Sequence, residues 1–406
     1  MLVLILAIVT FVIWLVLIAG RGWFWLAAER DAGGPAPAVW PTVVAVIPAR
    51  DEAESIGESV TSLLRQDYPG SFSIVVVDDQ SADETAAVAR HAAAAAGFAD
   101  RLTVLAGSAL PEGWTGKLWA EKQGIDEASV GAPTYFLLSD ADITYAPDTL
   151  TRLITRSEKE GLVLNSLMAK LRATSLAERA LVPAFIFFFQ MLYPFAWVNR
   201  QDRSTAAAAG GCMLVRRDAL EAAGGIESIR GALIDDCALA RELKYQGPIR
   251  LCLTERVESI RAYPTLGDIR QMVARSAYAQ LRYSPLILAG TIAGMALTYV
   301  APVLLTLFAD GLAKILGFVA WEMMAVAFQP TLRLYRASPI WGILLPGIAL
   351  FYMAFTLDSA YRHSRGAGGM WKGRVQAGLD EQAPRAPGLA VRRARERAPT
   401  RQGFDE

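Results

Sequence analysis

Cysteine and histidine are scarce in this 406-residue chain, and neither builds a reactive constellation. The three cysteines, Cys212, Cys237 and Cys252, lack both CxxC spacing and an even count, which argues against a zinc site or a disulfide framework and suits a reducing compartment. His91 lies in an alanine-rich stretch and His363 ends an apolar run, so a histidine-activated nucleophile is not expected and any general base should be a carboxylate. An excess of one charge is missing too. Forty Lys+Arg balance forty Asp+Glu, which removes the basic field a nucleic-acid partner would require. Glycine is absent from Pro48 to Ile56, where a sugar-phosphate nucleotidyltransferase would carry its glycine-rich basic loop.

What the chain has in quantity is long apolar runs near both ends. Met1 to Ala19 carries no charge, is long enough to span ~30 Å of hydrocarbon as a helix, and is followed by Arg21 and Arg30. It lacks the basic start and small-residue cleavage site of a signal peptide, so residues 1–22 read as an uncleaved anchor with the next domain in the cytoplasm. Residues 284–362 hold three more candidates: Pro285 to Phe308, Ile315 to Leu332 and Ile340 to Leu357. Three late crossings would leave Arg362, Arg365, Lys372 and Arg374 outside, against the charge rule, so either one candidate is re-entrant or the tail is external. The aromatic run at 180–198, broken by Pro183 and Pro194, reads as interfacial with its Phe185 to Phe189 cluster towards lipid. A buried core helix fits the same pattern. Residues 363–406 form a basic tail, expected to be largely disordered after 380 because it is rich in Ala, Pro and Arg.

Between these ends, residues 42–283 alternate short β-branched runs with helical patterns, which predicts an α/β fold with a mostly parallel sheet. The strand candidates are Val43 to Ile47, Ile74 to Val77, Leu102 to Leu105 and Tyr135 to Leu138. Ligands of open α/β sheets bind beyond the carboxyl ends of the strands, so the polar stretches Pro48 to Glu54, Asp78 to Thr85 and Asp140 to Asp142 are expected to form one site. Asp140 and Asp142 are two apart in extended backbone, so both carboxylates can face one hard divalent cation, Mg²⁺ or Mn²⁺, compensating a diphosphate leaving group. A turn or helix cap is the plainer account of any isolated Asp-x-Asp. Asp79 can accept from a pyrimidine ring N–H, while Ser81 or Asp83 caps the helix that follows.

Taken together, VIPARDEAES, VVVDDQSADET and LLSDADI closely resemble, in order and spacing, the donor half of the family 2 glycosyltransferases with a GT-A fold. AGGCMLVRR with Gly224-Gly225-Ile226 looks like that family's acceptor-side strand and turn. Leu233-Ile234-Asp235-Asp236-Cys237 is similar to the motif that holds its base. The stretch GWTGKLWA and the distal Trp371-Lys372-Gly373-Arg374 resemble the ceramide-glucosyltransferase-like branch, and within it the bacterial hopene-associated glycosyltransferases. The resemblance implies Asp236 as catalytic base with Asp235 in reserve. It implies donor contacts from Pro48, Arg50, Glu52, Asp79, Lys117, Trp119, Asp140, Gln280, Arg282 and Tyr283, with Asp140 and Asp142 on the metal. Gln280-Leu281-Arg282-Tyr283 departs by one residue from the Gln-x-x-Arg-Trp pattern of many relatives, which puts processive polysaccharide synthesis in doubt. The implied activity is inverting, metal-dependent transfer from a nucleotide-diphosphate sugar, UDP-linked by preference, to a hydroxyl of a membrane lipid, with a hopanoid link. The implied setting is the bacterial inner membrane, multi-pass, with the catalytic domain cytoplasmic. A scaffold that binds nucleotide-sugar without catalysis is the rival from another class.

Overall fold

Strands β1 (Val43–Ala49), β2 (Phe72–Asp78), β3 (Leu102–Ala106) and β4 (Tyr135–Ser139) form where β-branched and aromatic residues predominate. β1, β2 and β4 are buried on both faces, as central strands with helices on either side must be. With β5 (Ile143–Tyr145), β6 (Leu164–Leu171), β7 (Cys212–Arg216) and β8 (Ile249–Ser259) they make one eight-stranded sheet in the order β3-β2-β1-β4-β7-β6-β8-β5. β1 runs parallel to β2 and β4, β2 to β3, and β6 to β8; β7 is antiparallel to both its neighbours, and β5 to β8. The sheet is therefore mostly parallel, as the sequence pattern predicts. The structure, a computed structural model, describes residues 1–366, 368–371 and 374–375.

The period of two along β1 divides the domain into two cores. Val43, Ala45 and Ile47 face a layer that includes Ile56, Val60 and Leu63 of α2 (Ile56–Leu64), Ala89 and Ala93 of α3 (Thr85–Ala95), and Leu153. Val46, with Val75 and Val77, faces Leu118 and Ile125 of α4 (Gly116–Ser129). α5 (Thr149–Glu160) contributes that Leu153 and completes the first layer. On the second face α6 (Leu176–Leu192) and α7 (Asp235–Lys244) add Val182, Ile186, Leu239 and Leu243.

A third core joins the domain to the apolar helices. α1 (Leu2–Gly20), α8 (Leu266–Ala274), α9 (Pro285–Phe308), α10 (Gly311–Leu334) and α11 (Leu345–Ser364) pack Trp14, Ile269, Tyr299, Phe328 and Tyr352 with Leu181, Phe187 and Phe188 of α6. Among the described residues four helices are long and apolar enough to cross a membrane: α1, Leu176–Val198, α9 and α10. The expected span Ile340 to Leu357 is not one of them. It is divided into a short helix, Ile340–Ile343, and α11, whose last turns carry Asp358 and Arg362. In the aromatic run of α6, Phe187 and Phe188 are buried and Phe185 and Phe189 line a cavity, with 61% of the most apolar stretch of Leu176–Val198 buried. Met370–Trp371 and Arg374–Val375 pair as a short antiparallel ladder; Lys372, Gly373 and the tail expected to be disordered lie outside the described residues.

Candidate active site

The carboxyl ends of β1, β4 and β8 converge on a cavity of about 530 Å³. β4 stops at Ser139, and Asp140 and Asp142 follow on its lip, lining the cavity together. Lys117, in the first turn of α4, enters beneath a Thr115 cap whose side chain accepts from the Leu118 N–H. Its Nζ stands 2.8 Å from Asp140 Oδ1 and 2.8 Å from Asp235 Oδ2, so one ammonium ties the strand end to the start of α7. Asp142 Oδ2 accepts from Ser259 Oγ at 2.8 Å and from Arg261 Nε at 3.0 Å, and Arg261 Nη2 reaches Glu52 Oε1 at 2.5 Å. Two cations thus cross-link four acids contributed by three separate segments.

Asp236 points another way from its neighbour. Its carboxylate accepts from the Gly210 N–H at 3.0 Å and the Cys237 N–H at 2.7 Å, and it lines the cavity. A Cβ at position 210 would sit 3.3 Å from Lys117 Nζ and 3.6 Å from Asp236 Oδ2, so glycine there leaves both side chains their room. Burial first, and then the charge of Asp235, push the Asp236 carboxyl up to about 6. Burial acts on Asp140 in the same sense, but Lys117 overrides it and holds Asp140 below the usual carboxylate range. The Lys117 ammonium is desolvated, yet Asp140 and Asp235 raise it well above the ordinary lysine value. Glu121, one turn further along α4 and buried, is pushed up to about 8 by burial, with Lys117 opposing. Four acids surround one lysine here, Asp140 and Asp235 in ion pairs with it and Glu121 and Asp236 outside them, and burial makes the last two hold their protons more tightly than an ordinary carboxyl.

The remaining wall is apolar. Met168 and Leu171 of β6, Phe185 and Phe189 of α6 and Met272 of α8 line it, with Gln271 and Arg275 at its edge. Arg275 depresses Asp140 further, yet no carboxylate lies within ion-pair distance of it among the described residues.

Of the residues singled out from sequence, the cavity gathers Pro48, Glu52, Lys117, Asp140, Asp142, Asp235 and Asp236. Arg50 and Asp79 sit beside it at the ends of β1 and β2, where the Asp79 N–H donates to the Ala49 carbonyl at 2.8 Å and Arg50 Nη1 lies 3.7 Å from Asp79 Oδ2. Trp119 stacks edge-on with Trp114, ring centroids 5.2 Å apart, and donates to the Ser108 carbonyl, outside the cavity lining. Gln280, Arg282 and Tyr283 do not line it either. Gln280 donates to the Tyr193 hydroxyl at 2.6 Å, and Tyr283 stacks on His363 with centroids 4.3 Å apart, closing the start of α9. Sequence reading passes over Ser259, Arg261, Gln271 and Arg275. The first two follow the same rule as the acids, polar residues at a strand's carboxyl end, and that rule would have found them.

Two carboxylates, and no third His, Cys, Asp or Glu among the described residues, make up the possible metal set. That donor set fits Mg²⁺ or Mn²⁺ bound with a substrate diphosphate, because such ions take one or two carboxylates and fill their remaining positions with phosphate oxygens and water.

Residues 44–224 match the Glycosyl transferase family 2 family. An N-acetylglucosaminyltransferase of Mesorhizobium japonicum is 30% identical over 195 residues, 46% of this chain and 42% of that protein. A 4,4'-diaponeurosporenoate glycosyltransferase of Staphylococcus aureus is 32% identical over 117 residues, 29% of this chain and 28% of the relative. The chain therefore spans less than half the length of either relative. Among solved structures, a mannosyltransferase from Pyrobaculum calidifontis in complex with GDP-Man and Mn²⁺ superposes with a TM-score of 0.52 at 17% identity, covering 88% of this chain and 99% of that one. The chain thus has a GT-A α/β fold, and its residues 44–224 are similar to the glycosyl transferase family 2 domain.

Proposed function

We propose that the protein transfers a sugar from a nucleotide-diphosphate donor to a hydroxyl of a membrane lipid, by metal-assisted single displacement with inversion. The observation that carries this reading is that one cavity joins the acid cluster at the sheet lip to an apolar wall built from α6 and α8, the same helices that pack against the apolar bundle. A soluble acceptor would not call for that wall. A hopanoid-related alcohol is the first acceptor to test, on the strength of the sequence resemblance, and a UDP-linked sugar the first donor.

In this mechanism Asp236 accepts the proton of the acceptor hydroxyl as its oxygen bonds to the anomeric carbon. The bond from that carbon to the phosphate oxygen breaks, and its electron pair leaves with the diphosphate. Asp140 and Asp142 would hold the divalent ion, which supplies Lewis-acid stabilisation of the leaving charge. Lys117 fixes Asp140 relative to Asp235, and Arg261 fixes Asp142 relative to Glu52, so the two lips of the site hold their spacing before substrate arrives.

The same geometry bears on membrane topology. After α10 the chain turns back along it: Gln329 Nε2 donates to the Pro339 carbonyl at 3.2 Å and Trp321 Nε1 to the Ile343 carbonyl at 3.0 Å. α11 then returns until His363 stacks on Tyr283, just before α9 begins. Both ends of the segment 338–364 thus lie on the catalytic-domain side, and we read it as re-entrant. Arg21, Arg282, Arg333, Arg336, Arg362 and Arg365 all fall at that side, against Asp310 and Lys314 at the other, which favours a cytoplasmic catalytic domain.

The test is incorporation of label from UDP- and GDP-sugars into lipid by the full chain in nanodiscs. Incorporation should stop with chelator, return with Mn²⁺ or Mg²⁺, and fall at least a thousandfold in Asp236→Asn. Donor binding without turnover by any acceptor would favour the scaffold reading instead.

A further inference from the structure

The two helices that build the apolar wall are gripped from behind by a third. Tyr352 of α11 donates its hydroxyl to the Leu181 carbonyl of α6 at 2.8 Å, and its ring meets Phe188 with centroids 4.9 Å apart. Two turns on, Asp358 takes a bidentate contact from Arg270 of α8, with Nε at 3.0 Å and Nη2 at 2.9 Å. Arg362 Nε adds a third contact to Asp358 at 2.8 Å. The next residue, Ser359, is buried; its hydroxyl donates to the Ala274 carbonyl at 2.6 Å and accepts from the Tyr278 N–H at 3.0 Å. Phe185 and Phe189 on α6 and Gln271, Met272 and Arg275 on α8 line the cavity, whereas the residues held by α11 do not. α11 therefore spans the backs of both walls.

From this juxtaposition we infer that α11 is a brace that sets the width of the acceptor groove, and that Tyr352, Asp358 and Ser359 are positioning residues for acceptor selectivity. The inference rests on the reading of that groove as the acceptor site. Tyr352 fixes α6 through a backbone carbonyl, and the Asp358–Arg270 fork fixes α8, so one rigid helix ties together from behind two walls that also meet directly, and adds its grip to theirs in setting the α6–α8 gap. An Arg–carboxylate fork suits that task because its two parallel bonds fix orientation as well as distance. Loosening either grip lets the gap vary and weakens discrimination by acceptor shape.

The experiment compares the full chain in nanodiscs with Tyr352→Phe, Asp358→Asn and the charge-swapped pair Arg270→Asp with Asp358→Arg. A straight-chain alcohol and a fused-ring alcohol are offered as acceptors beside total membrane lipid. The single variants are expected to change the ratio of kcat/KM for the two alcohols at least fivefold, with nucleotide-diphosphate affinity unchanged, and the swapped pair to restore the ratio. A readout that needs no turnover uses spin labels at Phe185→Cys and Met272→Cys; the three native cysteines are buried and leave the labels to the new sites. Dipolar EPR should show a broader distance distribution in Tyr352→Phe and Asp358→Asn than in the parent. An unchanged alcohol ratio, an unbroadened distribution, or a swapped pair that behaves like its single variants overturns the brace. Absence of any glycolipid from the parent, with broadening still present, removes the acceptor reading and leaves the brace standing.

Discussion

Asp236 lies between two influences that can be separated by substitution. Its carboxyl is raised to about 6, by burial first and by Asp235 second. A base must be ionised to accept a proton, so kcat/KM should fall about tenfold per pH unit below pH 6 and level off above it. Asp235→Asn removes the like charge, and the acid limb should then move to lower pH. A limb that stays in place in Asp235→Asn, or appears unaltered in Asp236→Asn under single-turnover conditions, would mean that another group takes the proton. The acids of this site are legible in sequence because each follows a β-branched run, and the strand–acid junction itself is the signal. Arg275 escapes notice because an arginine between helices is chemically unremarkable until folding brings it to a cavity. Motif likeness points instead to Gln280, Arg282 and Tyr283. In the structure α8 ends at Ala274, so the residues that reach the cavity lie upstream, at Gln271 and Arg275, while the later ones turn away to close α9.

At the scale of elements, α6 shows why pattern alone leaves a helix ambiguous. Its composition satisfies a membrane span, an interfacial helix or a core helix, and the difference lies in what the fold packs against it. The start of α6 is where sequence and structure meet most closely. Ser175 caps it, and Glu178 closes the capping box while also accepting the Thr174 N–H at 2.9 Å and the Tyr263 N–H at 2.7 Å. One buried carboxylate therefore holds both the first turn of α6 and the segment that follows β8, on either side of the cavity. Glu178→Ala should cost about 1 kcal/mol, because it removes the acceptor of the Thr174, Ser175 and Tyr263 N–H groups in a partly buried turn. Thermal unfolding in detergent should show a lowered Tm, with Glu178→Gln in between since its amide oxygen can still accept. Equal melting of Glu178→Ala and the parent would show that the cap contributes nothing to the site's framework. Strands β1 to β4 present the opposite case: buried on both faces or flanked by helices, they keep apolar runs with sharp polar ends, and their limits in the structure fall within two residues of those read from sequence.

At the scale of the molecule, the number of apolar runs does not fix the number of crossings. The run beginning at Ile340 has the length of a span, but its path is set by side-chain hydrogen bonds from Trp321 and Gln329 to backbone carbonyls, which no hydropathy pattern records. The eight residues from Gln329 to Trp321 correspond to about 12 Å of helix, so the chain descends part of the way along α10 before α11 brings it back. The return helix is partly covered by protein, with Leu345, Ile348 and Ala349 buried, while Ile340, Ile343 and Leu344 at the turn stay exposed and rely on the Trp321 and Gln329 hydrogen bonds to satisfy backbone carbonyls. This reading requires Arg336 and Ser364 to lie on the same side of the membrane, and Asp310 on the other. Single replacements Asp310→Cys, Arg336→Cys and Ser364→Cys test it with a membrane-impermeant thiol reagent. Asp310→Cys should react in intact cells. Arg336→Cys and Ser364→Cys should react only in inverted vesicles or after permeabilisation, and the buried native cysteines should stay silent throughout. Labelling of Ser364→Cys from the same side as Asp310→Cys would make α11 a complete crossing and overturn the re-entrant reading, together with the 2.9 Å Arg270–Asp358 contact that holds α11 beside α8.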